Sequence, residues 1–289
     1  MNCHKCFQVL FSVLFISFAQ LGWGYIPNLK MILSRTAENH GHGIYRVEQE
    51  VSFQEGEETY LVREVWSVKD SQQMRLEARG RKKAENLSYT FIYDGQNRYS
   101  VDSNGIRKSS RPADNWFEPY LYFRFQKHIR PRMVSERIIP TEALEEKLSP
   151  IDPTKNRNKQ DFLRLSRVGG VITYGIGQAP PQGDSSARPG LWIEQDVFNV
   201  RKIRLPSQAV ISADEYSIFA NRFALATKQT VRWEDKLAQI RVISVKSLPN
   251  TKEVLRLFEA SSLDFGKDPT VANKTSDISP VDNFYSRFR

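Results

Sequence analysis

Period-two alternation is the feature that most constrains this chain. IYRVEQEVSF (Ile44–Phe53) alternates apolar and polar residues, and TYLVREVWSV (Thr59–Val68) repeats the pattern after the turn QEGEE. Successive side chains on an extended strand point to opposite faces. The pattern therefore demands one face against a core and one toward water. QMRLEARG (Gln73–Gly80) is a third such run, and NLSYTFIYDGQNRYSVDSNG carries a fourth and a fifth across DGQN. Asp, Gly and Asn between β-branched and aromatic runs are hairpin chemistry.

The pattern resumes at Phe162. FLRLSRVGGVITYGIG predicts a hairpin turning on VGG, and GLWIEQDVFNVRKIRLPS a second one turning on DVFN. AVISADEYSIFANRFALAT and KQTVRWEDKLAQIRVISVKSL supply further strands, the first with a loop or short helical turn over Ser212–Tyr216. Three stretches interrupt the strands. Pro27–Asn39 places Leu29, Ile32, Leu33 and Ala37 on one helical face before HGHG breaks it. From Arg111, RPADNWFEPYLYFRFQKHI is aromatic-rich, with Pro119 suited to a first helical turn. A short helix over Thr141–Leu148, capped by Thr141, follows it. After Leu248 the apolar density falls. A short helix in PNTKEVLRLFEASS then gives way to a segment, ending NFYSRFR, that reads as mobile. The sum is a mainly β, α+β chain. It would form a highly curved, unclosed antiparallel half-barrel, with a helical lid insert over an apolar concave face.

The first 24 residues are of another kind. Lys5 precedes the apolar run FQVLFSVLFISFAQL, and Gly22 and Gly24 follow it. This predicts a secretory signal cleaved near Gly24 and a periplasmic mature chain. An uncleaved anchor would need a longer apolar run. The expected divisions are 1–24 for the signal, 25–248 for the main domain with its insert at about 111–150, and 249–289 for the extension. Both cysteines, Cys3 and Cys6, lie in the signal, which leaves no disulfide and no thiolate for chemistry.

The formal charge of +9 favours acidic partners or membrane surfaces, but acids are interspersed with the bases almost everywhere. RKIR (Arg201–Arg204) and RGRKK (Arg79–Lys83) are solvated strand faces and turns more simply than nucleic-acid grooves. No Gly-x-Ser-x-Gly elbow, P-loop or dinucleotide fingerprint is present. His40 and His42 could share a strand face, but no third metal ligand is evident. Glu64, Glu77, Glu194 and Asp196 are the carboxylates a glycoside hydrolase would use, yet nothing in the spacing makes two of them face each other. These residues point to no catalytic group, no metal and no cofactor.

HGIYRVEQEVSF, REVWSVKDSQQMRLEA, YTFIYDGQNRYSV and LWIEQDVFNVRKIRLPS, in this order, resemble the outer-membrane lipoprotein carrier and sorting proteins. That is the LolA-like fold, which includes periplasmic regulators of the RseB type. The resemblance implies an unclosed barrel covered by helices and a non-catalytic protein of outer-membrane biogenesis. Its partners would be an acyl chain of a lipoprotein or a lipid, with inner- and outer-membrane partner proteins and no nucleic acid. The expected cavity lining is Val47, Val51, Val65, Leu76, Phe91, Ile203 and Leu205, ahead of Trp192, which a regular strand would place among Glu194 and Asp196: either it lies on the outer face or a bulge breaks the register. The expected lid is Trp116, Phe117, Tyr120, Leu121 and Phe125. The family has an arginine on an early strand that contacts the lid. Arg46 occupies a similar place, and Arg63 is its rival. A structural or regulatory envelope protein is the alternative, and a secreted hydrolase the more distant one.

Overall fold

The computed structural model describes residues 26–102, 105–115, 126–141, 162–178, 187–263, 273 and 278–289. Among the described residues, thirteen strands form one antiparallel sheet in the order β6-β5-β4-β3-β2-β1-β13-β12-β11-β10-β9-β8-β7. The first meander comprises β1 (Ile44–Glu55), β2 (Glu58–Val68), β3 (Gln73–Gly80), β4 (Ser88–Asp94), β5 (Asn97–Asp102) and β6 (Gly105–Ser110). The second comprises β7 (Leu163–Val168), β8 (Val171–Ile176), β9 (Gly190–Glu194), β10 (Val200–Arg204), β11 (Val210–Phe219), β12 (Phe223–Trp233) and β13 (Lys236–Leu248). The two are joined where β1 pairs with β13, from Ile44 opposite Leu248 to Phe53 opposite Ala238.

The sheet does not close into a barrel: β6 and β7 are its two edges. They are consecutive strands, so residues 111–162 connect one edge of the sheet to the other. The described part of that insert holds helix α2 (Gln126–Ser135). Helix α1 (Leu29–Glu38) precedes the sheet, and α3 (Lys252–Arg256) and α4 (Ser279–Phe288) follow it.

Local chemistry accounts for these elements. Asn28 caps α1 by accepting the Met31 amide at 2.9 Å. Leu29, Ile32, Leu33 and Thr36 form the buried stripe of that helix. Gly41 lies within the HGHG break at φ +59, where a Cβ would lie 2.7 Å from the Tyr45 hydroxyl and 2.8 Å from the Asn221 carbonyl. Only glycine fits this close approach. Beside it the Tyr45 and Phe223 rings stack at 4.4 Å, and His40 is buried.

Most strand bounds fall within a residue or two of those the alternation predicts. The differences are local. β11 runs unbroken from Val210 to Phe219, with Glu215 alone at positive φ. The helical turn expected inside it sits instead at Ala220–Arg222. β6 has no counterpart in the predicted strands, because GIRKSS is exposed along most of its length and carries no apolar alternation. The extension expected to be mobile folds in part: α3 and a 3-10 turn at Ala260–Leu263 lead toward α4, which is buried on its apolar side. The helix expected over Thr141–Leu148 lies outside the described residues apart from Thr141.

Candidate functional site

The concave face of the sheet is a continuous apolar trough. Phe53 on β1 is in register with Ala238, and from there the partners run Val231, Ile211, Ile203, Leu191, Ile176 and Leu163, one per strand to the β7 edge. Every member of this row is buried. A second row, Val47–Trp66–Leu76–Phe91, crosses β1 to β4. Both rows belong to one core cluster that also takes in Ile32 and Leu33 of α1, and Ile129 and Met133 of α2. The described part of the insert therefore does pack over the apolar side, as a lid would.

Helix α4 occupies the middle of the trough. Its spacing Val281, Phe284, Tyr285, Phe288 puts all four on one buried stripe. Phe284 meets Phe53 edge-on at 5.1 Å, Tyr285 stacks on Tyr89 at 4.8 Å, and Phe288 meets Trp233 at 5.2 Å. Polar contacts fasten the helix along its length. Tyr89 donates to Asp282 at 3.2 Å and the Trp233 indole to Asn283 at 2.7 Å. Arg287 bridges Asp114 at 2.5 Å and Glu234 at 2.9 Å, and Asn115 donates to the Phe288 carbonyl at 2.9 Å. Asp114 and Asn115 belong to the insert, so insert and helix are held together.

Just beyond α4, Arg289 enters the floor of the trough. Its Nε and one Nη each donate to the Glu64 carboxylate at 2.9 Å, a two-pronged pair with both side chains fully buried. Gln49 donates to the same carboxylate at 2.8 Å and the Trp66 indole at 3.1 Å. The guanidinium lies between the Trp66 ring at 5.2 Å and the Phe284 ring at 4.6 Å. Burial alone would push the Glu64 carboxyl up. Arg289, Gln49 and the nearby Tyr285 hydroxyl more than offset that and hold it below the ordinary carboxylate range. Burial and the Glu64 charge raise the Tyr285 phenol well above its usual value. The centre is a fully buried, charge-balanced pair.

Of the expected lining, Val47, Val51, Leu76, Phe91, Ile203 and Leu205 are buried in the core that faces the trough. Val65 is not among them. Val62, Glu64 and Trp66 take the inward parity of β2, which turns Val65 outward beside Arg63. Arg46 is exposed on β1 between inward Tyr45 and Val47, on the outer side of the strand. Its rival Arg63 pairs with Glu48 on that same outer side. The expected lid residues Trp116, Phe117, Tyr120, Leu121 and Phe125 lie outside the described residues. Trp192 is turned outward, with Lys202 over its ring at 5.0 Å. Of the remaining carboxylates, Glu77 pairs with Arg75 at 2.7 Å and Glu194 with Arg201 at 2.5 Å. Among the described residues no group of three His, Cys, Asp or Glu could hold a metal ion. The sequence reading missed Gln49, Arg289 and the whole of α4 as parts of the site. Two signals for them were present: Gln49 and Glu64 share the inward parity of apolar neighbours, and α4 carries a helical stripe.

No family model matches the sequence, and no curated protein matches it. Solved structures of similar architecture exist at low identity. A domain described as an outer membrane lipoprotein-sorting protein from Vibrio parahaemolyticus is 9% identical, with a TM-score of 0.47 over 79% of this chain and 95% of its own. A DUF1329 family protein from Desulfovibrio piger is 12% identical, with a TM-score of 0.49 over 81% of this chain and 96% of its own. A LolA superfamily protein from Nitrosomonas europaea is 8% identical, with a TM-score of 0.49 over 79% of this chain and 97% of its own. The likeness is remote.

Proposed function

We propose that this chain is a non-catalytic binding protein of the bacterial envelope whose trough takes an elongated apolar group, the acyl chain of a lipid or lipoprotein. The observation that carries this reading is α4: an amphipathic segment of ten residues already lies in the trough. A helix of that length spans about 15 Å. The trough thus accommodates a long apolar body without covalent chemistry. The four apolar side chains that α4 buries contribute about 1.5–3 kcal/mol each, roughly 6–12 kcal/mol together. An acyl chain burying about 10–14 methylenes at about 0.8 kcal/mol each gains roughly 8–11 kcal/mol. Exchange of helix for acyl chain is near balance, and the Glu64–Arg289 pair sets the threshold that a ligand must exceed. On this reading α4 closes the empty site and yields to cargo. The protein works in the periplasm after export and passes its ligand between inner- and outer-membrane partner proteins.

The same ion pair favours a second reading. A carboxylate with four hydrogen bonds is a settled core feature, and with α4 permanently in place the protein would act through protein contacts alone. Lipid mass spectrometry on the full chain, purified without detergent exchange from its native envelope, separates the two. A stoichiometric acyl lipid is expected. Absence of lipid together with a reproducible protein partner would establish the second reading.

A further inference from the structure

Glu64 is held from two sides, and only one of them belongs to the sheet. Gln49 stands directly opposite Glu64 in the register of β1 and β2. Its amide and the Trp66 indole both donate to the same carboxylate oxygen, Oε2. Trp66 is set in turn by stacking on Tyr93 at 5.9 Å. The other side comes from the segment of α4: the Arg289 guanidinium, whose Nε reaches Oε1, and the nearby Tyr285 hydroxyl.

The sheet by itself therefore presents a carboxylate, oriented by two neutral donors, beside the face of an indole. That combination is a receptor for a cationic nitrogen. The carboxylate answers the charge, and the ring face attracts the same charge. Arg289 already shows the fit. Its guanidinium makes a two-pronged contact with Glu64 at 2.9 Å and lies 5.2 Å from the centre of the Trp66 ring. In this respect Arg289 is a ligand that the chain carries itself.

An acyl chain that replaces α4 also displaces Arg289 and Tyr285. Glu64 would then keep its charge in the core beside Gln49 and Trp66, which are both neutral. A buried charge that loses its counter-ion is costly, and an apolar end group does nothing to offset that. An anionic end group adds repulsion. A cationic one restores the pair. Resting on the acyl-chain reading above, we propose that the trough selects amphiphiles whose polar end carries a cationic nitrogen, an ammonium or a guanidinium group. That group takes the place of Arg289 on Glu64 and Trp66, and the hydrocarbon follows the path of the α4 stripe.

The test measures binding of three probes of equal chain length to the full chain by calorimetry at neutral pH, each below its micelle or solubility limit: dodecylammonium, dodecanol and dodecanoate. The formal charge of +9 favours the anion over the cation at long range, so net charge cannot produce a preference for the amine. Dodecylammonium is expected to bind about tenfold or more tighter than dodecanol, with dodecanoate weakest. Glu64→Gln keeps the shape of the side chain and should bring the amine to the affinity of the alcohol. Arg289→Gln removes the internal competitor and should tighten the amine about tenfold more than the alcohol. A helix that is merely loosened would tighten all three probes alike, and that result would count against the cation site. Equal binding of amine and alcohol by the unaltered chain overturns the proposal and leaves the acyl-chain reading standing, as does tighter binding of dodecanoate. A preference for the amine that survives Glu64→Gln has the same consequence. If none of the probes binds, the acyl-chain reading itself fails and the cation site falls with it. The comparison of probes needs only the unaltered chain, so the outcome does not depend on how well either variant folds.

Discussion

Glu64 and Arg289 are 225 residues apart in sequence and form a single buried unit. Removing one partner leaves the other charge buried without its counter-ion. Arg289→Leu should therefore cost about 3–5 kcal/mol at neutral pH, read by urea unfolding. Glu64→Leu combined with Arg289→Leu should recover most of that loss, because no lone charge is left behind. The pair also gives stability a pH dependence of definite sign. The folded Glu64 pKa is depressed, so its contribution is complete above the ordinary carboxylate range and is lost as the pH falls through and below that range. The unaltered chain should lose stability steeply on acidification over this window, and Glu64→Gln should show a shallower profile there. Half of this unit was legible in the sequence. Strict alternation in TYLVREVWSV puts Glu64 on the face of Val62 and Trp66, and Gln49 on the face of Val47 and Val51. A polar pair on an apolar face signals a buried partner. Which cation answers it is a matter of tertiary contact.

Helix α4 shows the same division at the scale of elements. Pro280 at its start, Asp282 in its first turn and the stripe Val281, Phe284, Tyr285, Phe288 are sound helix signals. The polar run NKTSDIS before them lowers the local apolar density and gives the segment the look of a loose end. Phe284 touches Phe53, Trp233, Tyr285 and Arg289, so Phe284→Ala should cost about 3–5 kcal/mol. Under the acyl-chain reading the same variant should also tighten binding of a fluorescent fatty acid, because the helix competes less well for the trough. A loss of stability with no gain in binding would mark α4 as core alone. Strands were more legible than helices, since β1 to β5 and β7 to β13 each fall in a predicted run with its own turn. The exception, β6, is an edge strand. One neighbour and few apolar contacts suffice to hold it, so GIRKSS needs no pattern to be a strand.

At the scale of the molecule, two meanders become one sheet through the pairing of β1 with β13, and on the apolar side the described part of the insert and α4 pack against the core. Deleting residues 279–289 removes four buried apolar side chains and Arg289 together. The melting temperature should fall by well over about 10 °C, and an apolar dye should bind the uncovered trough. Unchanged melting and no dye binding would show that α4 does not close it. The sequence by itself determined the strands, most of their bounds, their turns and, at most positions, the face each residue presents. These follow from the two-residue repeat of an extended chain and from turn residues a few positions apart. Tertiary structure alone decided that the first and last strands of the sheet's two meanders would meet, that α4 would lie in the trough, and that Glu64 would find Arg289. An amphipathic face states that it must be buried, but says nothing of what will bury it. That choice belongs to the competition among all apolar surfaces of the chain, settled only when residues hundreds of positions apart are brought into contact.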